Sequence, residues 1–139
     1  LKVLETIHKM KPQSVNVLTV IGCGGDRDRE KRPKMAKVAA DWSHLIILTS
    51  DNPRTEEPVA IINEMAAGLS SEQLKSTLQI TDRREAIRTA CHLVKNGDIL
   101  LVAGKGHEPY QEISGVRYPF DDKAILREAL LGDFKDLNN

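Results

Sequence analysis

Short apolar runs rich in β-branched residues alternate along this chain with stretches in which apolar residues recur every three or four positions. The first run, over residues 15–21 (VNVLTVI), stops at Gly22, and an apolar run without polar alternation reads as a strand buried on both faces of a parallel sheet. A second run over 44–49 empties into SDNPRTEEP. Between the two, Met35, Val38, Ala39 and Trp42 share one side of a helix predicted over 33–42, with Pro33 in its first turn. Pro58 opens another helix carrying Ile61, Ile62 and Met65, which Gly68 is expected to close in a left-handed conformation. A weaker strand over 78–80 precedes Asp82, the N-cap of a helix over 83–95 whose Ala86, Ile87, Ala90 and Val94 face inward. After the Asn96-Gly97 turn, 98–103 is the clearest buried strand in the sequence. The rhythm then changes: 110–113 and 116–120 flank Ser114-Gly115 as a β-hairpin would, and a last helix over 122–131 leaves a tail, GDFKDLNN, expected to fray.

Strands alternating with helices imply βαβ units with right-handed crossovers. The expected architecture is therefore a three-layer, Rossmann-like α/β domain with a mostly parallel sheet and a C-terminal β-hairpin. At 139 residues the whole chain, 1–139, forms one such domain. Its opening is already helical in spacing (Val3, Leu4, Ile7, Met10) yet lacks an initiator Met and a cap, so the sequence is expected to be a piece of a longer protein. Ligands of open α/β sheets bind at the carboxyl ends of strands. The site is accordingly expected from three polar, glycine-containing loops at 22–32, 50–55 and 104–110.

Charge narrows the partners. Twenty Lys and Arg balance twenty Asp and Glu, for a formal net charge of zero, which removes the electrostatic footprint of a general nucleic-acid binder. No stretch approaches the roughly 18 apolar residues of a membrane-crossing helix, so neither a nucleic acid nor a membrane is expected as partner. Cys23 and Cys91 lie far apart without metal-ligand spacing, and with no signal peptide the expected location is the cytoplasm.

The loops carry the chemistry. GCGGDR fails as a dinucleotide fingerprint because Arg27 stands where the third glycine belongs, and GKGH lacks both the earlier glycine and the following Ser or Thr of a phosphate-binding P-loop. What GCGGDRDR offers is backbone N–H groups beside Arg27, which suit a carboxylate or phosphate; a solvated turn whose charges pair with each other fits the same residues. In Asp51-Asn52-Pro53-Arg54, proline stiffens the loop and Arg54 supplies a planar fork for a carboxylate. Asp51 and Asn52 can accept from ammonium groups, so an amino acid suits the set better than a sugar, although a simple turn is an equal alternative. Glu108 could accept from an ammonium; His107 reads as a structural hydrogen-bonding residue.

Taken together and in order, GCGGDRDREKRP, TSDNPRTEEP, DRREAI and LVAGKGHEPYQ make the chain resemble the C-terminal domain of the Mur ligases, in the branch that adds the third amino acid to UDP-N-acetylmuramoyl-L-alanyl-D-glutamate. The resemblance implies that DNPR selects meso-diaminopimelate and that Arg27, Asp51, Asn52, Pro53, Arg54, Gly104 and Glu108 contact it. It implies an ATP-dependent amide-forming reaction in peptidoglycan synthesis. ATP, Mg2+ and most of the nucleotide-sugar pocket would belong to two preceding domains of a three-domain enzyme, leaving no catalytic residue, metal ligand or cofactor in this piece, and no activity when it is alone. Pro109, between Glu108 and Tyr110, departs from the pattern and stands to shift Glu108; Glu30 is a second departure. A non-catalytic scaffold built on the same fold is the competing reading. For the binding role to hold, Arg27 and Arg54 must converge on one hollow.

Overall fold

The computed structural model describes residues 2–104 and 108–137, with backbone alone from 132 onward. The chain runs α1 (Lys2–Met10), β1 (Val17–Cys23), α2 (Lys31–Asp41), β2 (Leu45–Ser50), α3 (Pro58–Ala66), α4 (Ser71–Lys75), β3 (Thr77–Gln79), α5 (Arg83–Leu93), β4 (Ile99–Ala103), β5 (Tyr110–Ile113), β6 (Val116–Pro119) and α6 (Asp122–Leu137). Four parallel strands form one sheet in the order β3-β2-β1-β4, and β5 and β6 pair separately as an antiparallel hairpin. This is the expected α/β architecture.

Alternation along the strands distributes two cores. Val17, Ile21 and Cys23 of β1, with Ile46 and Leu48 of β2, meet Leu4, Ala36, Ala39, Ile62 and Met65 from α1, α2 and α3. Leu18, Val20 and Ile47 point the other way, onto Ala86, Ile87 and Ala90 of α5 and Ile125 of α6. Each large aliphatic side chain fully withdrawn from water contributes roughly 1.5–3 kcal/mol, so β1, buried at all seven residues, anchors both layers. From β1 the chain steps outward to β2 and β3 and then crosses back over the opposite face through α5 to β4. The reversal falls between β1 and β4, and crevices at such points receive ligands.

Several local expectations shift. β4 is half-buried at every position, because the strand order puts it on an edge of the four-stranded sheet; β1 is the deeply buried strand instead. Gly68 is not left-handed. Helix α3 ends at Ala66, and Gly68 is small because it lies against Pro33: a Cβ there would sit 2.2 Å from the Pro33 carbonyl oxygen. The short α4 was not expected, although its signal stands in the sequence as Ser70-Ser71-Glu72-Gln73, a capping box in which Ser70 and Gln73 bond reciprocally. Helix α6 continues past Leu131 to Leu137 rather than ending there. Asp82 caps α5 as read, its side chain accepting from the Glu85 N–H at 3.2 Å. Ser114 and Gly115 both take positive φ, 50° and 80°, as a two-residue hairpin turn demands.

Candidate functional site

The carboxyl ends of β2, β1 and β4 are packed backbone to backbone. A Cβ on Gly22 would lie 2.8 Å from the Ser50 carbonyl carbon, and one on Gly104, which also holds φ at +116°, would lie 2.8 Å from the Gly22 oxygen. Only glycines allow the three loops to leave the sheet so close together.

Asp51, Asn52 and Pro53 are buried at the end of β2. Asn52 is 1% exposed, and its amide is spent within the protein. Its Oδ1 accepts from the Glu112 N–H at 2.8 Å, and its Nδ2 donates to Glu108 Oε1 at 3.4 Å. Its carbonyl accepts from the Gly25 N–H at 2.7 Å, which clips the GCGG loop onto DNPR. Arg54 takes φ +52°, a left-handed conformation that an L side chain enters at a cost of about 1 kcal/mol. Hairpin contacts hold it there: Arg54 N–H donates to the Glu112 carbonyl at 3.0 Å, and Ser114 N–H donates to the Arg54 carbonyl at 2.7 Å. Gln111 Nε2 also donates to the Asp51 carbonyl at 2.7 Å. The C-terminal hairpin is thus the brace of the DNPR loop, a role its sequence does not announce.

Arg54 points back across the GCGG loop, Nη1 donating to the Gly25 carbonyl at 3.0 Å, with Nε 3.5 Å from Glu112 Oε2. Arg27 is exposed on the same rim. Gly24 separates the two arginines, since a Cβ there would stand 2.9 Å from Arg54 Nη1 and 3.4 Å from Arg27 Cγ. Arg27, Gly24, Asp28, Lys31, Cys23 and the buried Arg32 line a hollow of about 320 Å³; Arg54 does not line it, so the two arginines flank Gly24 without sharing that hollow. Glu108 lies across Asn52 and also accepts from Tyr110 Oη at 3.1 Å, so Pro109 does not carry it away from DNPR. Lys105 and His107 lie outside the described residues.

Two of the charges of GCGGDRDR bond other segments, whereas Asp28 Oδ1 accepts locally from the Glu30 N–H at 3.0 Å. Asp26 Oδ1 accepts from Thr55 Oγ1 at 2.6 Å, and Arg29 bonds Glu64 of α3. Beneath them Arg32, 1% exposed, is the residue that sequence reasoning missed. Its guanidinium donates to Glu56 at 2.6 and 3.0 Å, to Glu64, and to the Gly24 carbonyl at 3.1 Å. The Arg32 hydrogen bonds, helped by the Asp26 N–H at 2.5 Å, hold the Glu56 carboxyl down at about 2. Arg29 and Arg32 likewise lower Glu64, while burial pushes the Cys23 thiol up to about 11, making it a poor nucleophile. The matching charges of EKR and TEE were the visible signal; their burial was not.

Among the described residues, no group of three or more His, Cys, Asp or Glu is placed to hold a metal ion, and no helix is long and apolar enough to cross a membrane.

Comparison with known proteins fits this geometry. A family model described as "Mur ligase, glutamate ligase domain" matches residues 1–106. The UDP-N-acetylmuramoyl-L-alanyl-D-glutamate--2,6-diaminopimelate ligase of Bacteroides thetaiotaomicron is 60% identical over 126 residues, 91% of this chain and 26% of that protein. The ligase of the same name from Cytophaga hutchinsonii is 56% identical over 128 residues, 92% of this chain and 26% of that protein. A solved structure of a ligase with that name superposes with a TM-score of 0.87 at 46% identity, covering 96% of this chain and 27% of that one. The chain thus spans about a quarter of the length of the relatives it matches. With a family model matched over residues 1–106 and the fold shared with a solved member, the chain belongs to the Mur ligase family.

Proposed function

We propose that this chain is the amino-acid-binding domain of an ATP-dependent ligase that adds meso-diaminopimelate to UDP-N-acetylmuramoyl-L-alanyl-D-glutamate, in the cytoplasmic synthesis of peptidoglycan precursors. The observation that carries the proposal is the approach of the Arg54 guanidinium and the Arg27 side-chain stem to Gly24, at the sheet's switch point, with Glu108 held beside Asn52. Two guanidinium groups on one rim suit a carboxylate, and a nearby carboxylate suits an ammonium. In this reading Arg27 and Arg54 take the distal carboxylate of diaminopimelate, while Glu108 and the Gly104 carbonyl hold an amino group. Asn52 acts through Glu108, since its own amide is already engaged, and Pro53 and Asp51 keep the loop rigid.

Lysine lacks the distal carboxylate and would leave both arginines facing an unfilled place. Charge-assisted hydrogen bonds contribute roughly 1.5–3 kcal/mol each, and a site built for polar partners can reject an analogue lacking them by about 10⁴-fold. ATP with Mg2+, assigned to the remainder of the enzyme, supplies the phosphoryl group that activates the glutamate side-chain carboxylate. This domain's contribution is to deliver an oriented amine to that carboxylate.

The test is a full-length enzyme carrying Arg54→Ala, with the unaltered enzyme titrated against diaminopimelate and lysine side by side. The KM for diaminopimelate should rise at least 100-fold while those for ATP and the nucleotide sugar stay within twofold. Equal losses for all three substrates would remove the assigned role. An unaltered enzyme that forms no product with diaminopimelate would favour the scaffold reading.

A further inference from the structure

We infer that Arg83 is a positioning residue for the amino-acid site, holding the roots of the DNPR loop and the Gly104 loop through one buried guanidinium. The inference rests on the proposed binding role of those loops. The Arg83 side chain is fully buried. Nε donates to Asp122 Oδ1 at 2.9 Å and Nη2 to Asp122 Oδ2 at 2.7 Å, a two-point pair with the start of α6. Nη1 donates to the Ser50 carbonyl at 3.0 Å and Nη2 to the Ala103 carbonyl at 3.2 Å. Ser50 directly precedes Asp51, and Ala103 directly precedes Gly104.

These two carbonyls belong to strands that are not neighbours. β1 lies between β2 and β4, which at the usual interstrand spacing puts their axes roughly 9.5 Å apart, so no ladder hydrogen bond can join the two ends. Arg83 makes that connection across the carboxyl end of β1, where the Ser50 and Ala103 carbonyls flank the strand's last residues. The placement begins locally: Asp82 caps α5 and fixes its first turn, so the following residue projects onto the strand ends. A lysine could keep the charge but not the planar fork that reaches one carboxylate and two carbonyls together. A buried ion pair is a weak device for stability alone, because apolar residues of similar volume serve as well; the two backbone acceptors point to loop placement.

The test uses the full-length enzyme with Arg83→Lys and Asp122→Asn. Arg83→Lys should raise the KM for diaminopimelate at least tenfold, with kcat and the KM values for ATP and nucleotide sugar within twofold. It should also narrow discrimination against lysine, and Asp122→Asn should act in the same direction but less. Lower thermal stability with an unchanged diaminopimelate KM would overturn the inference, as would equal rises for every substrate. Amide hydrogen exchange gives a substrate-free reading: residues 50–54 and 103–104 should lose protection in Arg83→Lys while β1 keeps its own. If the enzyme makes no product from diaminopimelate, the binding proposal fails but exchange still decides the Arg83 role. Should neither variant fold, exchange in the unaltered enzyme decides it: these loop roots must open together with α5, and independent opening overturns the coupling.

Discussion

Replacing Arg32 with methionine isolates the buried charge cluster under the GCGG loop. Methionine retains much of the arginine stem's packing, so the loss falls mainly on the guanidinium. That group makes two hydrogen bonds to Glu56, one to Glu64 and one to the Gly24 carbonyl. Removing one partner of a buried ion pair costs about 3–5 kcal/mol, and the lower end applies because Glu56 and Glu64 keep 25% and 29% of their side chains exposed and can rehydrate. The expected loss is therefore about 3 kcal/mol at pH 7. It should depend on pH in a definite direction. Glu56 is held at about 2 against an ordinary 4.5, so its pairing stabilises the fold above pH 4.5 and that stabilisation fades as pH falls toward 2. One pKa unit corresponds to about 1.4 kcal/mol, and solvent screening of a partly exposed carboxylate reduces the total to about 2 kcal/mol. Urea unfolding of both chains at pH 7, 5, 4 and 3 should show midpoints far apart at the first two and converging below pH 4.5. A gap that stays constant to pH 3, or one below about 1 kcal/mol at pH 7, would refute the assignment of Arg32 as a buried clamp on Glu56.

Two further outcomes are expected. Gly25→Ala would place a Cβ 1.8 Å from the Pro53 carbonyl oxygen, forcing apart the two loops that Asn52 clips together; about 1–3 kcal/mol of stability should be lost, and a urea midpoint matching that of the unaltered chain would contradict the close approach. Residues 1–139 alone, mixed with ATP, the nucleotide sugar and diaminopimelate, should release no ADP in a coupled spectrophotometric assay; sustained release would show that this piece holds phosphoryl-transfer chemistry of its own.

The legible parts of this protein were those in which neighbours along the chain decide the outcome. Continuous apolar runs marked β1, β2 and β4, Asp82 marked the start of α5, and Ser114-Gly115 marked the hairpin turn. Hydrophobic period and cap chemistry act within a few residues and survive any arrangement of the strands. Gly68 shows the limit: its glycine was visible, but the reason was Pro33, 35 positions earlier in the sequence. β4 shows another, because five apolar residues read alike in the centre of a sheet and at its edge.

For the candidate site, the motifs named the loops, and the fold placed Arg27 and Arg54 beside Gly24, Gly104 against Gly22 and Glu108 against Asn52. The roles inside that rim belonged to tertiary structure. Asn52 reads as a free polar side chain until the hairpin occupies its oxygen. Arg32 and Arg83 stand in charged stretches, EKR and DRRE, yet both are buried and each bonds a segment more than 20 positions distant. By itself the sequence determined the strands, the helices other than the short α4, and the chemical alphabet of the loops, because those depend on local spacing and side-chain type. Strand order decided the rest: it sets which loop ends adjoin, and therefore which arginines are withdrawn from water to hold the backbone and which stay exposed at the rim.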